Sequence, residues 1–290
     1  MKAKVILNLV LVLAVTAVAL FAILKPQQQK ADPGIRLLDM TRDQVSRIAI
    51  ERKGAPAVRL EKQGDGWHVT APFTARADRN QVDRILDLTG AVAKQKLPRG
   101  DLGRFDLDPP QLRVTLDDRA VAFGRINEVT NEQYAATADA VYLLAPFYGY
   151  GIPDEGGKLA SRKLLGDDEH PVAFDFGGYR VERDDKGRWS EGGASAAQAK
   201  VPVSQDEFNR WADEWRVTHA LAVEPYKGGA GKQRIAVKFR NGKSVNLLAG
   251  TTPAGFTLLR TDQNMLYRFG AEVGRRLMDP HVAAARAAAN

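Results

Sequence analysis

The chain contains no cysteine. That absence excludes disulfides, thiolate nucleophiles, cysteine metal sites and a lipid anchor attached through cysteine. Histidine is almost as scarce: His68, His170, His219 and His281 are the full set, and none stands in an HExxH or paired spacing that would gather imidazoles on one metal. No Gly-x-Ser-x-Gly nucleophile elbow occurs, which leaves only an unassisted Ser, Thr or carboxylate for covalent catalysis. Long runs of one charge are missing too. The 42 Lys and Arg against 35 Asp and Glu leave a net charge of +7, yet no basic run exceeds two residues. Dispersed charge of this kind does not mark nucleic-acid binding, although a pI near 9.5 suits an anionic membrane surface or envelope polymer.

What is present begins with an apolar run. From Val5 to Leu24 only Asn8 and Thr16 are polar and no residue is charged. Twenty helical residues at about 1.5 Å each reach the roughly 30 Å of a bilayer's hydrocarbon core. The run is longer than the roughly 7–15 residues of a signal-peptide core, and it continues past the small-x-small site Ala17-Val18-Ala19, so a retained anchor is expected rather than a cleaved signal. Lys2 and Lys4 precede it and Lys25 and Lys30 follow. The short leader places the amino end in the cytoplasm and the remainder outside it. Residues 1–25 are thus expected as a single transmembrane anchor touching lipid through residues 5–24. Residues 26–36, with three successive glutamines and two prolines up to Gly34, form a linker.

Beyond the linker the pattern occurs twice. In the first copy Val45–Glu51 and Ala57–Lys62 alternate as strands, Gly64-Asp65-Gly66 turns into Trp67–Thr70, and Asp78-Arg79-Asn80-Gln81 opens a helix. In the second, Val172–Phe176 and Tyr179–Arg183 are strands, Asp184–Gly187 turns into Trp189, and Ser204-Gln205-Asp206-Glu207 opens the helix. The tryptophans Trp67 and Trp189 are 122 positions apart, the helix caps 126, and Leu112 and Ile235 123. Both helix starts have the form of a capping box. Val82, Ile85 and Leu86 share an inward face on one helix; Phe208, Trp211 and Trp215 do so on the other. The strands that follow are Gln111–Leu116, Ala120–Phe123, Gln133–Thr137 and Ala140–Leu144, then Arg234–Phe239, Ser244–Leu248, Gly255–Arg260 and Met265–Phe269, with Asn241-Gly242 as a hairpin turn. The expected fold is α+β: tandemly duplicated antiparallel-sheet-plus-helix modules at 37–165 and 166–280 behind the transmembrane helix. Pro280 should break any helix running on from Ala271–Met278, leaving 281–290 as a flexible tail.

The Gly-x-Trp turn, Ala71-Pro72 before a capped helix, Phe105-Asp106-Leu107-Asp108-Pro109-Pro110 and the hairpin carrying Val141-Tyr142-Leu143 resemble the bacterial family called domain of unknown function 4340. The similarity is strongest over Leu37–Leu165 and looser over the second copy, and it departs at Asp106, where that family has glycine. The resemblance implies an inner-membrane protein with one N-terminal segment and a periplasmic ectodomain, associated with ABC-type transport systems of the gliding kind.

Candidate chemistry is sparse. Gly228-Gly229-Ala230-Gly231-Lys232 lacks both the first glycine of a phosphate loop, replaced by Tyr226, and its Ser/Thr, replaced by Gln233, so no nucleotide is expected. Asp167-Asp168-Glu169-His170 reads as a solvated linker rather than a cation site. Asp106 and Asp108 offer paired carboxylates, but Pro109-Pro110 makes Asp108 a turn residue. No catalytic, cofactor or metal residue is assigned. The stretch Phe147-Tyr148-Gly149-Tyr150 is the candidate partner-binding site, as a loop carrying amphipathic rings at Phe147, Tyr148 and Tyr150. The leading expectation is a non-enzymatic accessory protein that binds or scaffolds a membrane or envelope protein. A binding module for glycan or anionic lipid, and an uncharacterised hydrolase, are the alternatives.

Overall fold

The computed structural model describes residues 34–193, 202–229, 231–253 and 255–289. The apolar segment 5–24, and with it the expected anchor, lies outside them. Among the described residues no helix is long and apolar enough to cross a membrane.

Alternation decides where strands form. In β2 (Arg47–Arg52) Ile48 and Ile50 are buried between outward Arg47, Ala49 and Glu51, and in β16 (Gln233–Phe239) Ile235, Val237 and Phe239 do the same. The short β1 (Ile35–Arg36) pairs with β6 (Val92–Ala93). The first large sheet holds β3 (Val58–Gln63), β4 (Gly66–Ala71), β5 (Ala75–Arg76), β7 (Gln95–Pro98), β8 (Leu112–Leu116), β9 (Arg119–Asn127), β10 (Glu132–Ala136) and β11 (Ala140–Leu144) with β2. Its order is β5-β4-β3-β2-β8-β9-β10-β11-β7. The second sheet holds β12 (Pro171–Asp175), β13 (Tyr179–Arg183), β14 (Trp189–Gly193), β15 (Ala222–Pro225), β16, β17 (Ser244–Thr252), β18 (Gly255–Arg260) and β19 (Met265–Phe269). Its order is β14-β13-β12-β16-β17-β18-β19-β15. Apart from β5, the two orders correspond strand for strand, and all pairings are antiparallel. The molecule is α+β and dominated by antiparallel sheet.

Each sheet carries one main helix at the same place in the chain order. In the first module α1 (Arg79–Leu86) buries Val82, Ile85 and Leu86. The one-turn α2 (Phe147–Tyr150) follows β11. In the second module α3 (Gln205–Val217) buries Phe208, Trp211, Ala212 and Trp215. Of the two expected boxes the full one forms at Ser204, whose hydroxyl accepts from Glu207 N while Glu207 accepts from Ser204 N at 2.7 Å. At Asp78 the carboxylate accepts from Gln81 N (3.2 Å), but Asp78 N donates to Leu159 O (2.7 Å) rather than to the Gln81 side chain, so no box closes. Trp189, Trp211 and Trp215 are in the second core, while Trp67 is only half-buried against the first.

Two departures from expectation concern the chain's ends and turns. Residues 281–289, expected with 290 as a flexible tail, are helical: α4 (Ala271–Met278) stops at Asp279, and α5 (Pro280–Ala289) starts on the proline and buries Ala284 against the second module, while residue 290 lies outside the described residues. Pro280 breaks the helix as expected, yet proline also suits a first helical position, and alanine is the best helix former. Asp106 takes φ 57 and ψ 34 at the end of the turn Gly103–Phe105. That is a left-handed conformation that glycine adopts at least cost and that Asp tolerates better than most other residues. The turn lays Phe105 and Leu107 onto Ala122, Ala136 and Val141 as a small separate core.

The connection between modules is built, not solvated. Arg76 Nη2 donates to the carbonyls of Lys163 and Leu164, both at 2.9 Å. Arg260, 3% exposed, donates to Leu164 O at 2.8 Å and forms a two-pronged ion pair with Glu169. Asp167 and Asp168 are exposed as a linker would be, but Glu169 turns inward because a buried guanidinium needs a counter-charge. Phe73 packs against both cores.

Candidate functional site: a cleft between the modules

Pro146 starts α2, and the three aromatic candidates on it separate by direction. Gly149 sits so close to the first sheet that a Cβ would lie 2.2 Å from Gln133 Oε1 and 3.0 Å from Phe123 Cδ1. With the backbone pressed inward there, Tyr148 packs against the first core, while Phe147 and Tyr150 stay 61% and 70% exposed. Burial, with a smaller contribution from Asp87, pushes the Tyr148 phenol above its ordinary pKa. The segment expected as a loop is thus a helical turn with one anchored ring and two exposed ones, of which Phe147 lies against Tyr148 with ring centroids 4.1 Å apart.

Tyr150 opens onto a cleft of about 990 Å³ between the two modules. Its first wall is Arg52 of β2 with Gln81 and Arg84 of α1; its floor is the chain from Gly151 to Lys158; its second wall is Leu221 to Pro225, which includes β15. Gln81, expected to reach back to its helix start, lines this cleft instead. Leu221 is 71% exposed, so a large aromatic and a large aliphatic side chain both face water along one trough.

The charges of the cleft are unevenly satisfied. Its four acids all have partners: Asp78 caps α1, Asp154 and Glu155 pair with Lys158 at 2.7 and 3.9 Å, and Glu224 accepts from Arg268 Nε at 3.0 Å. The hydrogen bond from Lys158 holds the Asp154 carboxyl below its usual range. Half-buried Arg52 donates through Nη2 to Ile152 O (2.7 Å), and its Nε is buried without a partner. Arg84 and Arg162 are exposed to the cleft, and neither guanidinium forms a hydrogen bond or ion pair with another described residue. The cleft therefore presents guanidinium donors beside apolar side chains. That combination binds a group with both an anion and an apolar part.

Elsewhere the candidate chemistry does not assemble. Among the described residues no group of three or more His, Asp or Glu is placed to hold a metal ion. Asp106 and Asp108 are both exposed on their turn. The glycine-rich stretch 228–232 leads into the strand β16, where a phosphate loop would need a helix to follow. Arg84, Arg162 and Leu221 were not singled out by the sequence, because each is one ordinary surface-type residue whose neighbours come from a distant part of the chain.

The fold and this cleft define a class: a sheet-rich α+β protein with a cleft between two antiparallel modules. Within that class the chain belongs to the family described as domain of unknown function (DUF4340), whose model matches residues 67–215. The match runs from β4 into α3, so it takes in most of the first module, where the resemblance was expected to be strongest, and the start of the second, where it was expected to be looser. No curated protein and no solved structure matches the chain.

Proposed function

We propose that this is a membrane-anchored accessory protein without catalytic activity, which faces the periplasm and binds a protein partner through the cleft between its modules. The observation that carries the reading is the placement of Tyr150 and Leu221, two large and mostly exposed apolar side chains, along one preformed trough. Exposed apolar groups gathered in a concave surface mark interaction sites, and aromatic anchors supply much of the energy there. The matching order of eight strands supports descent of both modules from one duplicated unit. The run Val5–Leu24 supports the anchor, and family membership makes a component of an ABC-type transport complex the leading partner.

Purification of the full chain in mild detergent tests the proposal. A partner should be enriched over a control membrane protein, and exchange of Tyr150 and Leu221 together for Ser should remove it. A protein that runs alone from the wild-type preparation would overturn the reading. Amino-terminal sequencing that begins near Leu20 would overturn the anchor.

A further inference from the structure

We propose that the cleft's occupant is a short acidic peptide segment of the partner, with carboxylates seated on Arg84 and Arg162 and an apolar side chain lodged between Tyr150 and Leu221. The inference rests on the partner-binding reading above and names the chemistry of what is bound.

Charge complementarity carries it. Every acid in the cleft is already engaged, so no internal carboxylate serves Arg84 or Arg162. Guanidinium groups take carboxylates in two-pronged, charge-assisted hydrogen bonds, and they do so best where apolar neighbours exclude water. One arginine comes from α1 and the other from the connection after Ala160, and both line the same cleft. A ligand that satisfies both guanidiniums carries more than one anionic group. The cleft's four cations (Arg52, Lys158 and the pair above) equal its four acids in number, so the complementarity is local: the acids are held by the α1 start, Lys158 and Arg268, while the two guanidiniums are not. A concave site of this size suits a short segment that can enter it better than an extended headgroup layer.

Fluorescence anisotropy on the full-length protein in detergent micelles tests this. The probes are labelled ten-residue peptides with Asp or Glu on both sides of a Leu-Val pair, and the same peptides with Lys for each acid. Acidic peptides should bind more tightly than their Lys counterparts, and added salt should weaken them. The double variant R84E/R162E should lose about tenfold in affinity and gain binding of the Lys peptides. That reversal cannot come from misfolding. Equal binding of both peptide sets, or acidic-peptide binding indifferent to R84E/R162E, would overturn the inference. Arginine-dependent binding of phosphatidylglycerol vesicles with no binding of peptides would overturn it in favour of a lipid occupant. The parent reading fails separately. A partner that still co-purifies with R84E/R162E leaves partner binding intact while removing this occupant.

Discussion

The two modules share one strand order and solve the core beneath it with different chemistry. In the first, α1 is eight residues long and lays Val82, Ile85 and Leu86 on a mainly aliphatic core. In the second, α3 is thirteen residues long, and Trp211 and Trp215 join Phe174, Phe176 and Trp189, with ring centroids 4.5 Å apart for Phe174 and Trp211 and 5.2 Å for Phe174 and Trp215. Rings bury more area per residue than aliphatic groups and tolerate less removal. The second module also has α4 and α5 laid against its helix and sheet, whereas the polar side of α1 faces the cleft with Gln81 and Arg84. One topology thus supports a heavily covered module and a lightly covered one, and the lightly covered helix supplies part of the cleft's wall.

The largest expected effect breaks that comparison directly. Trp211→Ala should cost about 3–5 kcal/mol and Ile85→Ala about 2–5 kcal/mol, with the tryptophan the more damaging because its indole also donates to Arg276 O at 3.0 Å. Urea unfolding followed by circular dichroism ranks the two. If Ile85→Ala proved the costlier, the aromatic core would not be the stronger one.

The junction gives the next effect. Glu169→Gln leaves Arg260 with Asp262, which is half exposed, as its remaining counter-ion, and should cost roughly 2–4 kcal/mol. Burial raises the Glu169 pKa, but the hydrogen bonds and charge of Arg260, then Gly166 N–H and Arg76, outweigh it and hold the carboxyl below 4.5. A carboxyl with a lowered folded-state pKa contributes stability above its unfolded value, near 4.5, and loses it as pH falls through the folded value. Melting temperature should therefore drop below about pH 4.5 more steeply in the wild type than in Glu169→Gln. Parallel curves would assign that acid sensitivity to other groups.

The smallest effect sharpens the division on α2. Tyr148→Ala removes a ring packed on the first core and should cost about 1–3 kcal/mol, whereas Tyr150→Ala should change stability by no more than about 0.5 kcal/mol. Thermal denaturation of the pair measures this, and equal losses would mean that both rings are structural.

Much of the fold was legible because its signals are local. Ile48 and Ile50, or Ile235 and Val237, alternate with polar neighbours; Gly64 and Gly242 take positive φ at the turns where glycine was expected; Asp78 and Ser204 accept the helix-start amides. The strands β7 and β15 were not legible, since Gln95–Pro98 and Ala222–Pro225 are short, end in proline and show no alternation. Glu169 looked like one of several linker acids, and only Arg260, 91 positions away, gives it a buried role. Tyr150 was visible as an exposed-ring candidate, but the cleft it opens on exists only once two distant segments dock.

Phe73 gives that docking a further meaning. A single ring wedged into both interiors acts as a shared keystone, and drawing the modules apart would strip it from two cores at once. Gly156, between the cleft residues Glu155 and Gly157, lies against the same ring, so interior packing helps to hold the cleft's floor. If the cleft receives a partner segment as proposed, that segment would meet a surface ordered in advance, and discrimination would fall to shape and charge instead of to a closing motion.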